Sequence, residues 1–108
     1  MNERPTNRKK IVTYVPTANA DAVREAIALA GGGKLGNYTH CTFSTKGIGR
    51  FKPVTGADPH IGQVGILEAV EEERVEVTCD ADVAEAVISA IKKVHPYEEI
   101  PIDIYSLE

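Results

Sequence analysis

The sequence predicts an α+β fold of element order β-α-β-β-α-β: one antiparallel sheet with two helices on one face. Three observations carry this expectation. A strand-like run followed by an amphipathic helix opens the chain, and the same pairing returns in its second half. The stretch between them, residues 38–70, is rich in Thr, Gly, Phe and Val and is broken by turn residues. A chain of 108 residues suits one compact domain with a single core.

Residues 1–9 read as a flexible, solvated arm, with Arg4, Arg8, Lys9 and Lys10 clustered there and at the start of the domain. The single domain then runs over 10–108. Lys10-Ile11-Val12-Thr13-Tyr14-Val15 is β-branched and almost continuously apolar, as in a strand covered on both faces, and Pro16 closes it. Asn19 is the expected cap of a first helix, whose buried stripe is Val23, Ala26, Ile27 and Ala30 at i, i+3, i+4 and i+7. Gly31-Gly32-Gly33 ends it.

The middle segment is expected to supply two or more strands as a long hairpin with excursions, turning at Lys46-Gly47 and at Gly56-Ala57-Asp58-Pro59. Arg74 to Cys79 alternates, placing Val75, Val77 and Cys79 on one face of a strand. Asp80 is the expected cap of a second helix with Ala84, Val87, Ile88 and Ile91 buried. Lys92, Lys93 and His95 suit its negative end, and Pro96 stops it. Ile100 to Tyr105 closes the sheet, with Pro101 implying a late start or an edge position. The resulting arrangement is the split βαβ, or ferredoxin-like, fold with an elaborated middle region.

Composition excludes several classes of function. A formal charge of −4 leaves no general basic face for phosphates, so no nucleic acid is expected as a partner. No apolar run approaches the ~18–20 residues of a membrane span, and no apolar leader follows Met1, so a cytoplasmic location is expected. Cys41 and Cys79 are two reduced thiols rather than a disulfide framework.

Six segments together resemble a known family: Gly31 to Tyr38, Cys41-Thr42-Phe43-Ser44, Gly47 to Pro53, Gly56 to Pro59, Ile61-Gly62 and His95-Pro96-Tyr97-Glu98-Glu99. In this order they resemble the domain inserted in NIF-three-like proteins, the dinuclear-metal-centre hexamers, from about Lys10 to Leu107. The His95 to Glu98 turn is also similar to one in CutA-type copper-tolerance proteins. These, with the PII signalling proteins, share the ferredoxin-like fold and assemble as trimers. The resemblance implies a free-standing CutA/PII-like version of the insert and a homo-oligomer, with a trimer favoured. The family's metal ligands belong to halves that flank the insert, so neither that dinuclear site nor a hydrolase activity carries over to residues here. Fold kinship alone assigns no activity.

The chemical motifs are weighed one by one. Gly31 to Gly36 spells G-x-G-x-x-G, but it follows a helix, whereas a phosphate site needs the glycines ahead of a helix N-terminus. A helix stop and tight turn is the better reading. His40, His60 and His95 with Glu98 and Glu99 are candidate ligands for a divalent metal, although their spacing follows no metal motif. Cys41 beside His40 is poorly placed for nucleophilic catalysis if both lie on a strand, because neighbours there face opposite ways. No catalytic residue is assigned. Lys34, Asn37, Tyr38, Arg50, Lys52 and Tyr97 are candidate ligand-binding residues: in an oligomer, loops from neighbouring subunits would bring basic and aromatic groups together around an anionic small molecule. The sequence thus predicts a non-enzymatic module binding a small molecule or metal ion. A docking subunit for a partner such as a metal-dependent hydrolase is the second reading, and a metal-dependent enzyme the third.

Overall fold

Why the chain folds as it does begins with its second strand pair, which is longer than the pattern of apolar residues suggests. The computed structural model describes residues 7–108; Arg4 and the rest of 1–6 lie outside the described residues. The strands are β1 (Arg8–Pro16), β2 (Phe43–Phe51), β3 (Glu68–Asp80) and β4 (Ile102–Leu107), with helices α1 (Ala20–Leu29) and α2 (Ala84–Val94). All pairings are antiparallel, in the order β2-β3-β1-β4. This is the ferredoxin-like α+β fold.

Most of the residues expected to make the core do so; Ala30 and Ile88 are only partly buried against it, and Ala26 is not part of it. Ile11 and Val15 of β1, with Val75, Val77 and Cys79 of β3, face Val23 and Ile27 of α1 and Ala84, Val87 and Ile91 of α2. Alternation therefore gives each strand a helix-side set at odd positions of β1 and β3. Even positions, among them Tyr14, Glu72, Arg74 and Glu76, lie on the opposite, helix-free face. Val12 is also fully buried, as the double-sided reading of β1 required. Thr13 fixes the start of β4 by donating its hydroxyl hydrogen bond to the Pro101 carbonyl at 2.8 Å.

Several expectations need correction. Strand β1 starts at Arg8 rather than Lys10, because Arg8 and Lys9 pair with both β3 and β4. The segment 38–70 contributes one whole strand and the first residues of β3, not two or more strands of its own. Lys46-Gly47 lies inside β2 rather than in a turn, whereas Gly56 does turn, with φ +102° and Ala57 N–H donating to the Val54 carbonyl. Neither Asn19 nor Asp80 caps a helix with its side chain; a short 3₁₀ turn precedes each helix instead. Asp80 pairs with Arg8 at 2.8 Å. After α1 the chain turns back through Gly33, where a β-carbon would strike the Cys41 backbone at 2.6 Å.

Strands β2 and β3 run on past the end of β1. The last β1 pair is Pro16 with Glu72, whereas β2 and β3 continue to Phe51 opposite Glu68. The hairpin thus projects beyond the helix-covered core. The α2–β4 connection and the 52–61 loop fill the space beside it.

Candidate functional site

A cleft of about 930 Å³ opens on the helix-free face, where the projecting hairpin meets those two loops. Its floor follows from strand register. Gly47 stands opposite Glu72 and Gly49 opposite Val70, so both glycines share a face with Glu72, Arg74 and Tyr14. A β-carbon on Gly47 would meet nothing within 4 Å, which leaves bare backbone as part of the floor. Gly49 has the opposite reason to be glycine. The Glu72 carboxylate lies across it, and a β-carbon there would overlap that carboxylate.

Glu72 is only 9% exposed. Its Oε2 accepts a hydrogen bond from the Tyr97 hydroxyl at 2.5 Å. Burial, reinforced by this carboxylate, pushes the Tyr97 phenol well above its usual range. Tyr97 is also ringed by aromatic neighbours: Phe51 edge-on at 6.0 Å, His60 at 6.5 Å and His95 at 5.0 Å between centroids. One wall of the cleft is therefore the stretch from Tyr97 to Pro101.

His95 holds that turn in place. Its Nε2 lies 2.7 Å from the Tyr14 carbonyl, which can only accept, so Nε2 carries the proton. Its Nδ1 then accepts from the Tyr97 backbone N–H at 3.2 Å. Both ring nitrogens are used. Burial pushes this imidazole down from its ordinary value, against the opposing pull of the Tyr14 hydrogen bond. The next acid, Glu98, accepts from the Asp58 backbone N–H at 2.6 Å and ties the turn to the 52–61 loop.

On the floor, Arg74 lies over the Tyr14 ring at 6.0 Å and pairs through Nε with Glu76 at 2.9 Å, without hydrogen-bond alignment. Glu76 is also 3.4 Å from Lys10. Neighbouring Glu73 faces the helices instead and receives a 2.6 Å hydrogen bond from Arg24, which also donates to Ser44 and Asp21.

The candidate metal ligands do not converge. His40 stands at the other end of the sheet, 3.5 Å from Glu25, with Thr39 Oγ1 3.0 Å from its Nδ1. His60 borders the cleft, both ring nitrogens of His95 engage backbone groups, and one Glu98 oxygen accepts from the Asp58 N–H. Glu99 also borders the cleft. Among the described residues no three His, Cys, Asp or Glu side chains form a group fit to hold a metal ion. His40 is not on a strand: it has φ +63°, and it makes no hydrogen bond to Cys41 among the described residues.

The ligand-binding candidates divide into two sets. Arg50, Lys52 and Tyr97 border the cleft. Lys34, Asn37 and Tyr38 belong to a tight turn closed by mutual Leu35–Tyr38 hydrogen bonds, and Gly33 N–H anchors its start to the Thr78 carbonyl. Thr78 is eight residues along β3 from Val70, the partner of Gly49, so the two sets stand roughly 25 Å apart within one chain. The sequence did not single out Gly47 and Gly49 as floor residues, nor Tyr14, Glu72 and Arg74. The Glu71-Glu72-Glu73 run looks solvated, and only its place in a strand shows that two of its members are buried on opposite faces.

No family model matches the chain. It is 51% identical over 100 residues to the GTP cyclohydrolase 1 type 2 homolog of Bacillus subtilis, covering 93% of this chain but 27% of that protein. The chain thus spans about a quarter of the length of such relatives. The crystal structure of the Bacillus cereus protein related to NIF3 superposes with a TM-score of 0.84 at 42% identity, over all of this chain and 28% of that one. CutA from Archaeoglobus fulgidus matches at TM-score 0.66 and 18% identity over 94% of this chain and 84% of its own. The Bacillus subtilis GlnK–ATP complex matches at 0.61 and 12% identity over 94% and 83%. The last two likenesses show the fold alone. No described helix is long and apolar enough to cross a membrane.

Proposed function

From the chain's homology to a quarter-length segment of the NIF3-like proteins, we propose that it is a non-enzymatic, oligomeric module of the CutA/PII kind that binds a small molecule in a regulatory role. The cleft carries this reading. It is concave and of ordinary ligand size, has more apolar than polar surface, and sets charged and aromatic side chains of two strands against two loops. Oligomerisation fits the two separated sets of candidate residues: a neighbouring copy is the one route by which Lys34, Asn37 and Tyr38 reach a cleft holding Arg50, Lys52 and Tyr97. A trimer is the assembly we favour.

The relatives' name refers to a hydrolytic activity of proteins more than three times as long, so that activity is not carried over to this chain. A second reading, docking onto a larger partner, is favoured by the free edge of β2, where Phe43 and Ile48 are exposed. Sedimentation velocity combined with a thermal-shift screen of metabolites and metals tests the proposal. A discrete trimer stabilised by at least one small molecule is expected. A monomer that no compound stabilises would overturn it, and co-sedimentation with a partner would select the docking reading.

A further inference from the structure

Lys46, Arg50, Lys52 and Arg74 match Glu72, Glu76, Glu98 and Glu99 in number around the cleft, but one of these acids is buried with no cation beside it, and that identifies a ligand class. Glu76 is flanked by Lys10 and Arg74, and Glu98 is engaged with the Asp58 N–H. Glu72 is different. It is nine-tenths buried, yet its one donor is the neutral Tyr97 hydroxyl, and among the described residues no Lys or Arg nitrogen lies within 4 Å of it. Its Oε1 has no hydrogen-bond partner among the described residues, although Glu72 borders the cleft. Because Oε1 is not among the buried unpartnered atoms, it opens to the cleft, where a ligand N–H can donate to it.

The basic residues of β2 do not supply that donor. Lys46, Arg50 and Lys52 border the cleft, yet no nitrogen of theirs lies within 4 Å of Glu72, and Lys46 and Arg50 occupy even positions, on the side of β2 where Ser44 meets Arg24 of α1. Beside Glu72 stand the Phe51 and Tyr97 rings, whose faces attract positive charge. Next to it lies the bare backbone of Gly47, with room for a flat or aliphatic body.

We propose that the cleft takes a small organic cation, of the amidinium or primary-amine type, whose N–H groups donate to Glu72 while its apolar body covers Gly47. This rests on the cleft being a ligand site, and it reverses the anionic ligand that the basic candidates suggest. The ligand supplies the missing counter-charge and hydrogen bond together, an arrangement in which charge-assisted bonds are strongest.

The test is an amide-resolved NMR titration of the full chain with benzamidinium, its neutral analogue benzamide, its anionic analogue benzoate, and ATP. Benzamidinium is expected to saturate shifts at Gly47, Gly49, Glu72 and Tyr97, with the other three binding about tenfold or more weakly. Glu72→Gln should remove that preference. Because this variant also touches the Tyr97 hydrogen bond, Gly47→Leu serves as the second: it fills open space, keeps the melting temperature, and should abolish the shifts. If benzoate or ATP saturates the same amides as well as benzamidinium does, or Glu72→Gln leaves the preference intact, the cation assignment fails while the cleft reading stands. If no probe moves these amides at millimolar concentration, both fall.

Discussion

Replacing Gly49 by alanine places a methyl group where the Glu72 carboxylate lies; even the farther oxygen, Oε2, would be only 2.8 Å from it. The carboxylate is then forced away from the Tyr97 hydroxyl. Losing a hydrogen bond to a buried charged group costs about 1–3 kcal/mol. Loosening the edge-on Phe51–Tyr97 contact adds about 0.5–1 kcal/mol. Against this, exchanging Gly for Ala in an unstrained backbone returns about 0.4–1 kcal/mol by restricting the unfolded chain. The net cost is about 1–3 kcal/mol, a fall in melting temperature of about 5–15 °C for a domain of this size. Gly47→Ala, two residues away on the same strand face, meets nothing within 4 Å and should match or slightly exceed the parent's stability. Thermal unfolding followed by circular dichroism at one protein concentration measures both, since association shifts the midpoint. Gly49→Ala should also cost less in a Tyr97→Phe background, where the hydrogen bond is already gone. Equal melting temperatures for the two alanine variants, or an undiminished cost in that background, would refute it.

Other outcomes follow from the same geometry. Arg24→Met leaves the Glu73 carboxylate buried without its cation, so chemical denaturation should show a loss of about 2–3 kcal/mol, largely recovered in the Arg24→Met/Glu73→Leu double variant. His95 has a folded-state pKa below the ordinary 6.5, so the stability it contributes is present above that value and lost as pH falls below it. Urea midpoints should therefore drop from pH 7 to 5, and His95→Gln should flatten that segment of the profile. Tyr97 shifts the opposite way: its contribution holds below about pH 10, the ordinary tyrosine value, and is lost as alkaline pH ionises the phenol, a decline that Tyr97→Phe should reduce.

The local elements were legible because their signals are local. The apolar stripe of α2 and the alternation of Val75, Val77 and Cys79 placed most of the core, with Ile88 partly buried beside it. Pro101 delayed β4 to Ile102 as its missing N–H requires. The cleft was not legible, for the reason that each part of its floor takes meaning from a residue far along the chain. Gly47 reads as part of a turn, and Gly49 has no evident reason to be glycine until Glu72, more than twenty positions on, is seen to need the space above it. The acid run 71–73 looks solvated until β3 directs Glu72 to Tyr97 and Glu73 to Arg24. The His95 turn was identified as informative, and both of its ring nitrogens hydrogen-bond backbone groups far apart in sequence or across the turn, which no local pattern shows. Asn19 and Asp80 followed the sequence preference for caps, and a 3₁₀ turn ahead of each helix displaced them.

Native mass spectrometry can show whether the protein is an oligomer that carries a small molecule in the helix-free cleft. The parent chain and Gly47→Leu would be purified side by side without a metal-affinity tag. A discrete trimer with an added mass that Gly47→Leu lacks, at the same subunit number, is the predicted result. A bare monomer, or an added mass that persists unchanged in Gly47→Leu, would contradict it.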